Sequence, residues 1–358
     1  MSVTSTFDAS RAETFAARVM GMLNDSFVVL MTSIGHQTGL LDAMSELPPA
    51  TSDEIAKAAG LDERYVREWL GAMVTGRFIE YDPDARAYRL PAEHAACLTR
   101  AAGTDNLATM LQWVGLMGTV EPGIAERFRN GGGLSYADYG RFHEIMADSN
   151  GRVFDHTLVQ RTLPMVHGIE DRLRAGIDVM DVGCGSGHAI NVMAKAFPES
   201  RFLGSDFSSE GVAAGAAEAK VWGLANARFE VRDAAELGTG PQFDFITSFD
   251  SIHDQADPAR VLAGISQSLR DAGTYLMVDV AASSHLERNL DHPMAPFIYA
   301  ISTLHCMSVS LGLEGAGLGA AWGEELALEM LAEAGFGRVE VKQVEGDVTN
   351  NYYVARKA

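Results

Sequence analysis

The stretch Ile177 to His188 reads I-D-V-M-D-V-G-C-G-S-G-H, and it decides the fold. Its apolar start, which contains Val179 and Val182, is typical of a short buried strand. Its glycines are Gly183, Gly185 and Gly187. They predict a tight turn, because glycine lets a backbone turn sharply and lets a ligand approach closely. From Ser186 onward, apolar residues recur at helical spacing, so the turn joins a strand end to a helix start.

An acidic residue follows this turn at a spacing that indicates a nucleoside-binding site. Asp206 closes the next apolar run, nineteen residues beyond Gly187. In a βαβ unit this position is the tip of the second strand, within reach of a ribose diol. A dinucleotide site would continue as G-x-G-x-x-G, but His188 stands where its last glycine belongs, and the first basic residue after it is Lys195. The pattern favours a nucleoside without phosphates over a dinucleotide, or else a glycine turn with no ligand.

From Asp181 the segment has the D-V-G-x-G-x-G form, and here the chain resembles the class I S-adenosylmethionine (SAM)-dependent methyltransferases. The resemblance implies SAM as cofactor and S-adenosylhomocysteine as its product. It also places Asp233, which ends a third strand, beside the adenine amino group. The predicted cofactor-binding residues around the strand ends are Asp181, Gly183, Gly185, Gly187, Asp206, Phe207, Asp233, Ala234 and Ser248.

Strand and helix patterns alternate through the rest of this region. Further strands are predicted at Phe243–Asp250 and Thr274–Val280, and two come in succession at Arg338–Val344 and Asn350–Arg356. This predicts an α/β fold: a Rossmann-like, seven-stranded methyltransferase domain whose last strand is antiparallel.

The N-terminal region has a winged helix-turn-helix pattern and is mainly helical. Thr51 to Glu54 is a capping box, a second helix follows Asp62, and a hairpin surrounds Asp82. Such a domain can either bind DNA or serve as a scaffold for dimerisation. Residues 51–90 hold eight acids against six Lys and Arg, which favours the scaffold. The resemblance agrees, because small-molecule O-methyltransferases commonly dimerise through an N-terminal winged-helix domain that roofs the active site.

The domain prediction has three parts. Residues 1–100 form the winged-helix dimerisation domain, 101–174 a helical linker and active-site lid, and 175–358 the SAM-binding domain. Within the linker, Phe142 and Met146 share one helical face, which by itself is ordinary core packing. In the O-methyltransferase family an F-x-x-x-M segment closes over the SAM sulfonium, so the resemblance assigns both residues to the cofactor.

His253 is the candidate general base. It follows the carboxyl end of the fourth strand, where ligands of open α/β sheets bind, and imidazole titrates near neutral pH. The family has a His-Asp pair here, matched by His253 and Asp254. Asp279 matches the family's acid that orients the base, whereas the second acid has no counterpart near Trp322. The alternative is that His253 merely caps a helix.

Composition limits the partners. The chain has 358 residues and a net charge of −20, which disfavours nucleic acid. Its unbroken apolar runs are short for a bilayer, no secretory leader pattern precedes them, and we expect a cytoplasmic protein with no membrane partner. The histidine spacings in the long 281–323 segment match no metal-ligand pattern, so no metal is expected. That segment instead predicts a helix and a glycine-rich flap lining an apolar pocket.

Together these patterns predict a homodimeric SAM-dependent methyltransferase acting on a small organic acceptor, most simply a hydroxyl. Transfer to N, S or C stays open. The alternatives from other classes are a winged-helix regulator that senses SAM without catalysis and a Rossmann dehydrogenase.

Overall fold

The computed structural model describes residues 7–344 and 347–357. Two compact units make up the chain, with the boundary between Gly115 and Leu116. The α-helices are α1 (Ala9–Gln37), α2 (Leu40–Ser45), α3 (Ser52–Ala59), α4 (Glu63–Thr75), α5 (Ala92–Leu98), α6 (Ala108–Asn130), α7 (Phe142–Val153), α8 (Ile169–Ala175), α9 (His188–Ala196), α10 (Ser209–Val221), α11 (Pro258–Ser268), α12 (Ala295–Ile301), α13 (Met307–Gly312) and α14 (Gly323–Glu333). The strands are β1 (Glu80–Asp82), β2 (Ala87–Arg89), β3 (Asp178–Val182), β4 (Arg201–Asp206), β5 (Ala227–Val231), β6 (Phe243–Phe249), β7 (Leu269–Val280), β8 (Arg338–Lys342) and β9 (Asn350–Arg356).

The first unit contains the predicted winged helix. Thr51 and Glu54 form the reciprocal capping box at the start of α3, and the Asp62 carboxylate accepts the backbone N–H groups that open α4. Helix α4 buries one face, with Trp69 and Leu70 in a core shared with α2 and α3. The strands β1 and β2 pair antiparallel as the wing.

The second unit begins at Leu116, so residues 116–174 belong to the same compact unit as the large sheet. The predicted lid role of this region stays a prediction. Three consecutive glycines lie in it at positions 131 to 133. Gly133 is tightly packed, because a Cβ there would lie 1.7 Å from the carbonyl oxygen of Ser308 in α13.

The large sheet has seven strands in the order β5-β4-β3-β6-β7-β9-β8. Neighbours from β5 to β7 run parallel, and β9 pairs antiparallel with both β7 and β8. This confirms the predicted fold. Because β3, β4, β6 and β7 are parallel, their carboxyl ends lie at one edge, where ligands of such sheets bind.

Alternation along the strands buries both faces of the sheet. On β9, Tyr352 and Val354 belong to one apolar core, while Tyr353 and Ala355 belong to the other. The first core includes α8 and α9, and the second includes α11 and α14. A sheet covered on both faces holds its strand ends rigidly, which is what a precise binding edge requires.

Two helical segments are long and apolar enough to span a membrane by length and composition, Ala9–Gln37 and Ala295–Gly312. The second is the helix predicted in the 281–323 segment, and a π-helical turn at Ser302–Cys306, hereafter the π turn, joins its two α-helical parts. Buried side chains such as Ile298 and Val309 make it part of the protein core. Core helices of globular proteins can have the length and apolar composition of a membrane span. The expectation of no membrane partner therefore stays a prediction.

Candidate active site

The glycine turn after β3 adopts a backbone that only glycine accepts easily. Gly183, Gly185 and Gly187 have φ of 69°, 53° and 71°. A Cβ on Gly183 would lie 2.5 Å from the side chain of Ser251, and one on Gly187 would lie 2.2 Å from the Phe229 ring. Gly185 differs, because a Cβ there would meet no atom within 4 Å. Gly183 and Gly185 both line a cavity. Gly187 packs against Phe229 and is the N-cap residue of α9.

Asp206 is locked to this turn. Its Oδ2 accepts the backbone N–H of Gly185 at 2.8 Å, and its Oδ1 accepts that of Ser208 at 2.8 Å. Each carboxylate oxygen has two acceptor positions, so both oxygens still have capacity for a ligand diol. Asp206 and its neighbour Phe207 both line the cavity, as the sequence predicts.

Asp181 lies at the floor of the same cavity. Its Oδ1 accepts the Thr247 hydroxyl at 2.7 Å. Burial raises the pKa of Asp181 to about 7, and the nearby charge of Asp206 acts in the same direction. A carboxyl group in this state favours a cationic ligand group, which would lower the pKa again.

Two residues predicted to bind the cofactor, Ser248 and Asp233, are not among the described residues that line the cavity. Ser248 is fully buried within β6, where its hydroxyl pairs with the Tyr275 hydroxyl at 2.6 Å. Its side chain therefore serves the sheet, and the assignment to the cavity is corrected. Asp233 is exposed and caps the short helix after β5 by accepting the N–H of Ala235. Its neighbour Ala234 lines the cavity, so the adenine contact predicted for Asp233 stays a prediction.

Helix α7 closes another side of the cavity. Phe142 and Met146 line it, as predicted, together with Phe154 just beyond the helix. An aromatic face and a polarisable thioether are both suited to a sulfonium cation. Tyr136, which sequence reasoning did not single out, contacts the Phe142 and Phe207 rings at centroid distances of 5.7 and 5.2 Å.

The loop after β6 carries His253, which meets the predicted catalytic residue Asp279 and a third residue, Trp322. His253 Nδ1 donates to Asp279 Oδ1 at 2.7 Å, and the indole N–H of Trp322 donates to the same oxygen at 3.0 Å. The second acid missing from the sequence near Trp322 is thus replaced by an indole that orients Asp279. Asp279 Oδ2 is buried without a hydrogen-bond partner among the described residues.

His253 is buried behind the cavity rather than on its wall. Burial alone would lower the pKa of His253, but the Asp279 carboxylate and the Cys306 side chain together outweigh burial and raise that pKa well above its usual value. The Cys306 side chain lies close to the His253 ring. The glycine-rich flap, residues 315–323, contacts the loop that carries His253, because Gly319 donates its N–H to the His253 carbonyl at 3.1 Å.

Asp254 reaches the cavity directly. Its Oδ2 accepts the Tyr136 hydroxyl at 2.5 Å, and burial raises its pKa to about 6. Asp250, which directly follows β6, was not predicted as a site residue. It lines the cavity with a left-handed backbone (φ 49°), and its buried Oδ1 has no partner in the described chain. Its place at a strand end was the available signal, since such ends carry ligand contacts.

The comparisons with known proteins agree with this geometry. Residues 26–100 match the family model of the Rv2258c-like winged HTH domain, and residues 173–343 match that of a methyltransferase domain. The trans-aconitate 2-methyltransferase of Deinococcus radiodurans is 34% identical over 112 residues, which are 31% of this chain and 41% of that protein. The match thus spans less than half the length of this curated relative.

Solved structures show the same fold over the whole chain. A candidate O-methyltransferase of Nostoc punctiforme superposes with a TM-score of 0.73 at 16% identity, covering 98% of this chain and all of that one. Human N-acetylserotonin methyltransferase, solved with SAM, has a TM-score of 0.69 at 16% identity and full coverage of both chains.

The second unit therefore carries a class I SAM-dependent methyltransferase domain. The chain combines it with an N-terminal Rv2258c-like winged-helix domain, as the sequence predicts. The cavity residues fit SAM as cofactor: Asp206 suits the ribose, Asp181 the ammonium group, and Phe142 with Met146 the sulfonium.

Replacing Asp206 tests the cofactor site. We expect Asp206→Asn to weaken SAM binding by about 10- to 100-fold, because a charge-assisted hydrogen bond is worth roughly 1.5–3 kcal/mol. Calorimetric titration with SAM measures this. Glu210→Gln, an exposed change in the first turn of α10, is the matched control. Equal affinities for both variants would contradict the assignment.

Proposed function

We propose that the whole protein transfers a methyl group to a hydroxyl of a small organic acceptor, with His253 as general base. The observation that carries this proposal is the His253–Asp279 pair, held by Trp322 beside a SAM-type cavity. When bound, SAM supplies an electrophilic methyl group and leaves as S-adenosylhomocysteine.

The residues supply alignment and a proton acceptor. Asp279 receives the Nδ1–H of His253, which leaves Nε2 as the nitrogen that takes the acceptor's proton. The acceptor's proton would stay on the imidazole, where Asp279 stabilises the positive charge, and the oxygen would take the methyl group that SAM would supply as S-adenosylhomocysteine leaves.

The regulator alternative is not favoured. A recognition helix needs free donors for DNA, but both arginines in the first half of α4 are paired. Arg64 contacts Glu68 at 2.6 Å and Arg67 contacts Glu63 at 3.5 Å. The His253–Asp279 pair has no use in a protein that only senses SAM. The missing glycine at His188 likewise disfavours a dehydrogenase.

We also propose that the protein is a homodimer, working in the cytoplasm, with α1 at its interface. This helix exposes large apolar side chains at helical spacing, a pattern that soluble monomers rarely leave uncovered. The exposed members include Phe15, Val19, Met22, Leu23, Phe27 and Ile34. A second copy of the same helix offers an equally apolar stripe, as a two-fold interface requires.

His253→Gln tests the base. We expect SAM affinity to stay within a few fold and turnover to fall by roughly 10²- to 10⁴-fold, because proton transfer to a positioned base is lost. The measurement is release of S-adenosylhomocysteine with an acceptor found by screening. The same change at the exposed His285 is the control. An unchanged rate would remove His253 from the mechanism.

The raised pKa of His253 predicts a pH profile. The base must be neutral, so kcat/KM should increase with pH and level off only above pH 6.5, the usual imidazole value. Asp279→Asn removes the charge that raises this pKa, so its profile should level off at lower pH with a smaller maximum. Profiles of both proteins measure the shift. A shift to higher pH would contradict the pairing.

The double variant Phe15→Glu, Phe27→Glu tests the dimer. We expect the wild type to sediment as two chains of 38.4 kDa and the variant as one, because four charges cannot be buried in an apolar interface. Phe128→Glu, at a side chain 78% exposed, is the control. A monomeric wild type, or one that floats with lipid vesicles, would overturn the assignment of α1 to a dimer.

A further inference from the structure

The π turn contains a buried histidine that the mechanism above does not use. His305 is 3% exposed, and its Nε2 has no hydrogen-bond partner in residues 7–344 and 347–357. A buried polar atom without a hydrogen-bond partner destabilises the folded protein, so proteins seldom keep one without a reason. π-helical turns themselves occur often at functional sites.

One face of His305 lies against the cofactor side of the site. Its ring stacks on Phe142 at a centroid distance of 4.2 Å and an angle of 11°. Tyr136 meets the ring edge to face at 5.4 Å. Both Phe142 and Tyr136 line the cavity, so His305 stands one layer behind that wall.

The same turn contacts the base. Cys306, the next residue, lies close to the His253 ring and helps to raise the pKa of that imidazole. Tyr139 secures the turn, since its hydroxyl donates to the Leu304 carbonyl at 2.6 Å. His305 therefore lies close both to the wall that faces the cofactor and to His253, the proposed base, so an acceptor held at His253 would also be near His305.

His305 is neutral. Burial lowers its pKa to about 3, and the neighbouring His253 and His143 act in the same direction. A neutral imidazole nitrogen pairs with uncharged oxygen groups, as donor or acceptor according to its tautomer. It supplies no positive charge for an acidic acceptor.

The walls of the cavity are acidic as well. Its described lining includes the carboxyl groups of Asp181, Asp206, Asp250 and Asp254. The arginine in that lining, Arg232, is engaged by its own neighbourhood, since it donates to the Glu236 carbonyl at 2.9 Å. A carboxylate-bearing acceptor would meet like charges here, which is unfavourable.

We propose that His305 is a specificity residue whose Nε2 hydrogen-bonds to a second oxygen of an uncharged acceptor, while the hydroxyl to be methylated faces His253. This inference rests on the proposed function and names its substrate class: small uncharged compounds with two oxygen groups. The curated relative named for trans-aconitate, a polycarboxylate, would then differ from this protein in its acceptor.

Binding to the complex with S-adenosylhomocysteine tests the proposal without turnover. The probes are phenol and the three dihydroxybenzenes, titrated by calorimetry. We expect at least one dihydroxybenzene to bind the wild type tenfold or more tightly than phenol. In His305→Phe, which keeps a ring against Phe142, this preference should fall below threefold. His285→Phe, at an exposed position in the same segment, should keep it.

His305→Leu also removes the nitrogen and must lose the same preference, so a folding defect of one variant does not decide the outcome. Unaltered preference in the two variants, or no preference in the wild type, would overturn the role of His305. Equally tight binding of 3,4-dihydroxybenzoate would overturn the restriction to uncharged acceptors. Binding without release of S-adenosylhomocysteine from SAM would instead contradict the proposed function, while the recognition by His305 would stand.

Discussion

The hydrogen bond from the Gly185 N–H to the Asp206 carboxylate joins the ends of two parallel strands, and the site depends on it. It holds the glycine turn open at the carboxyl edge of the sheet. The turn is held further by the N–H groups of Gly183 and Cys184, which both donate to the Ser205 carbonyl. A flexible turn would not keep Asp181 and Asp206 in fixed positions around one ligand.

Electrostatics at this edge follow from burial. Several carboxyl groups share one cavity, and burial raises the pKa of Asp181, Asp250 and Asp254. Such a cluster is costly by itself and becomes favourable when a cation enters, so the site is suited to a cofactor with a sulfonium and an ammonium group. His253 faces the opposite condition, because the carboxylate of Asp279, which is hydrogen-bonded to its ring, stabilises its charged form.

On the side of the proposed acceptor site, packing of the π turn and the glycine-rich flap matters more than charge. The π turn places Cys306 against the base and His305 against the aromatic wall, and the glycine-rich flap binds the loop that carries His253. The proposed acceptor site therefore depends on a segment that lies outside the strand-helix repeat. Families built on one sheet differ in acceptor for this reason, since such segments change shape without disturbing the sheet.

Local patterns in the sequence determined the fold, the glycine turn and the strand-end position of Asp206, because strand ends and turns follow from residues close together in the chain. The family resemblance predicted Asp279 as the partner of His253. Tertiary structure alone decided that Trp322 orients Asp279, that Ser248 serves the sheet and that His305 is buried without a partner. These facts depend on contacts between residues far apart in sequence, which no local periodicity encodes.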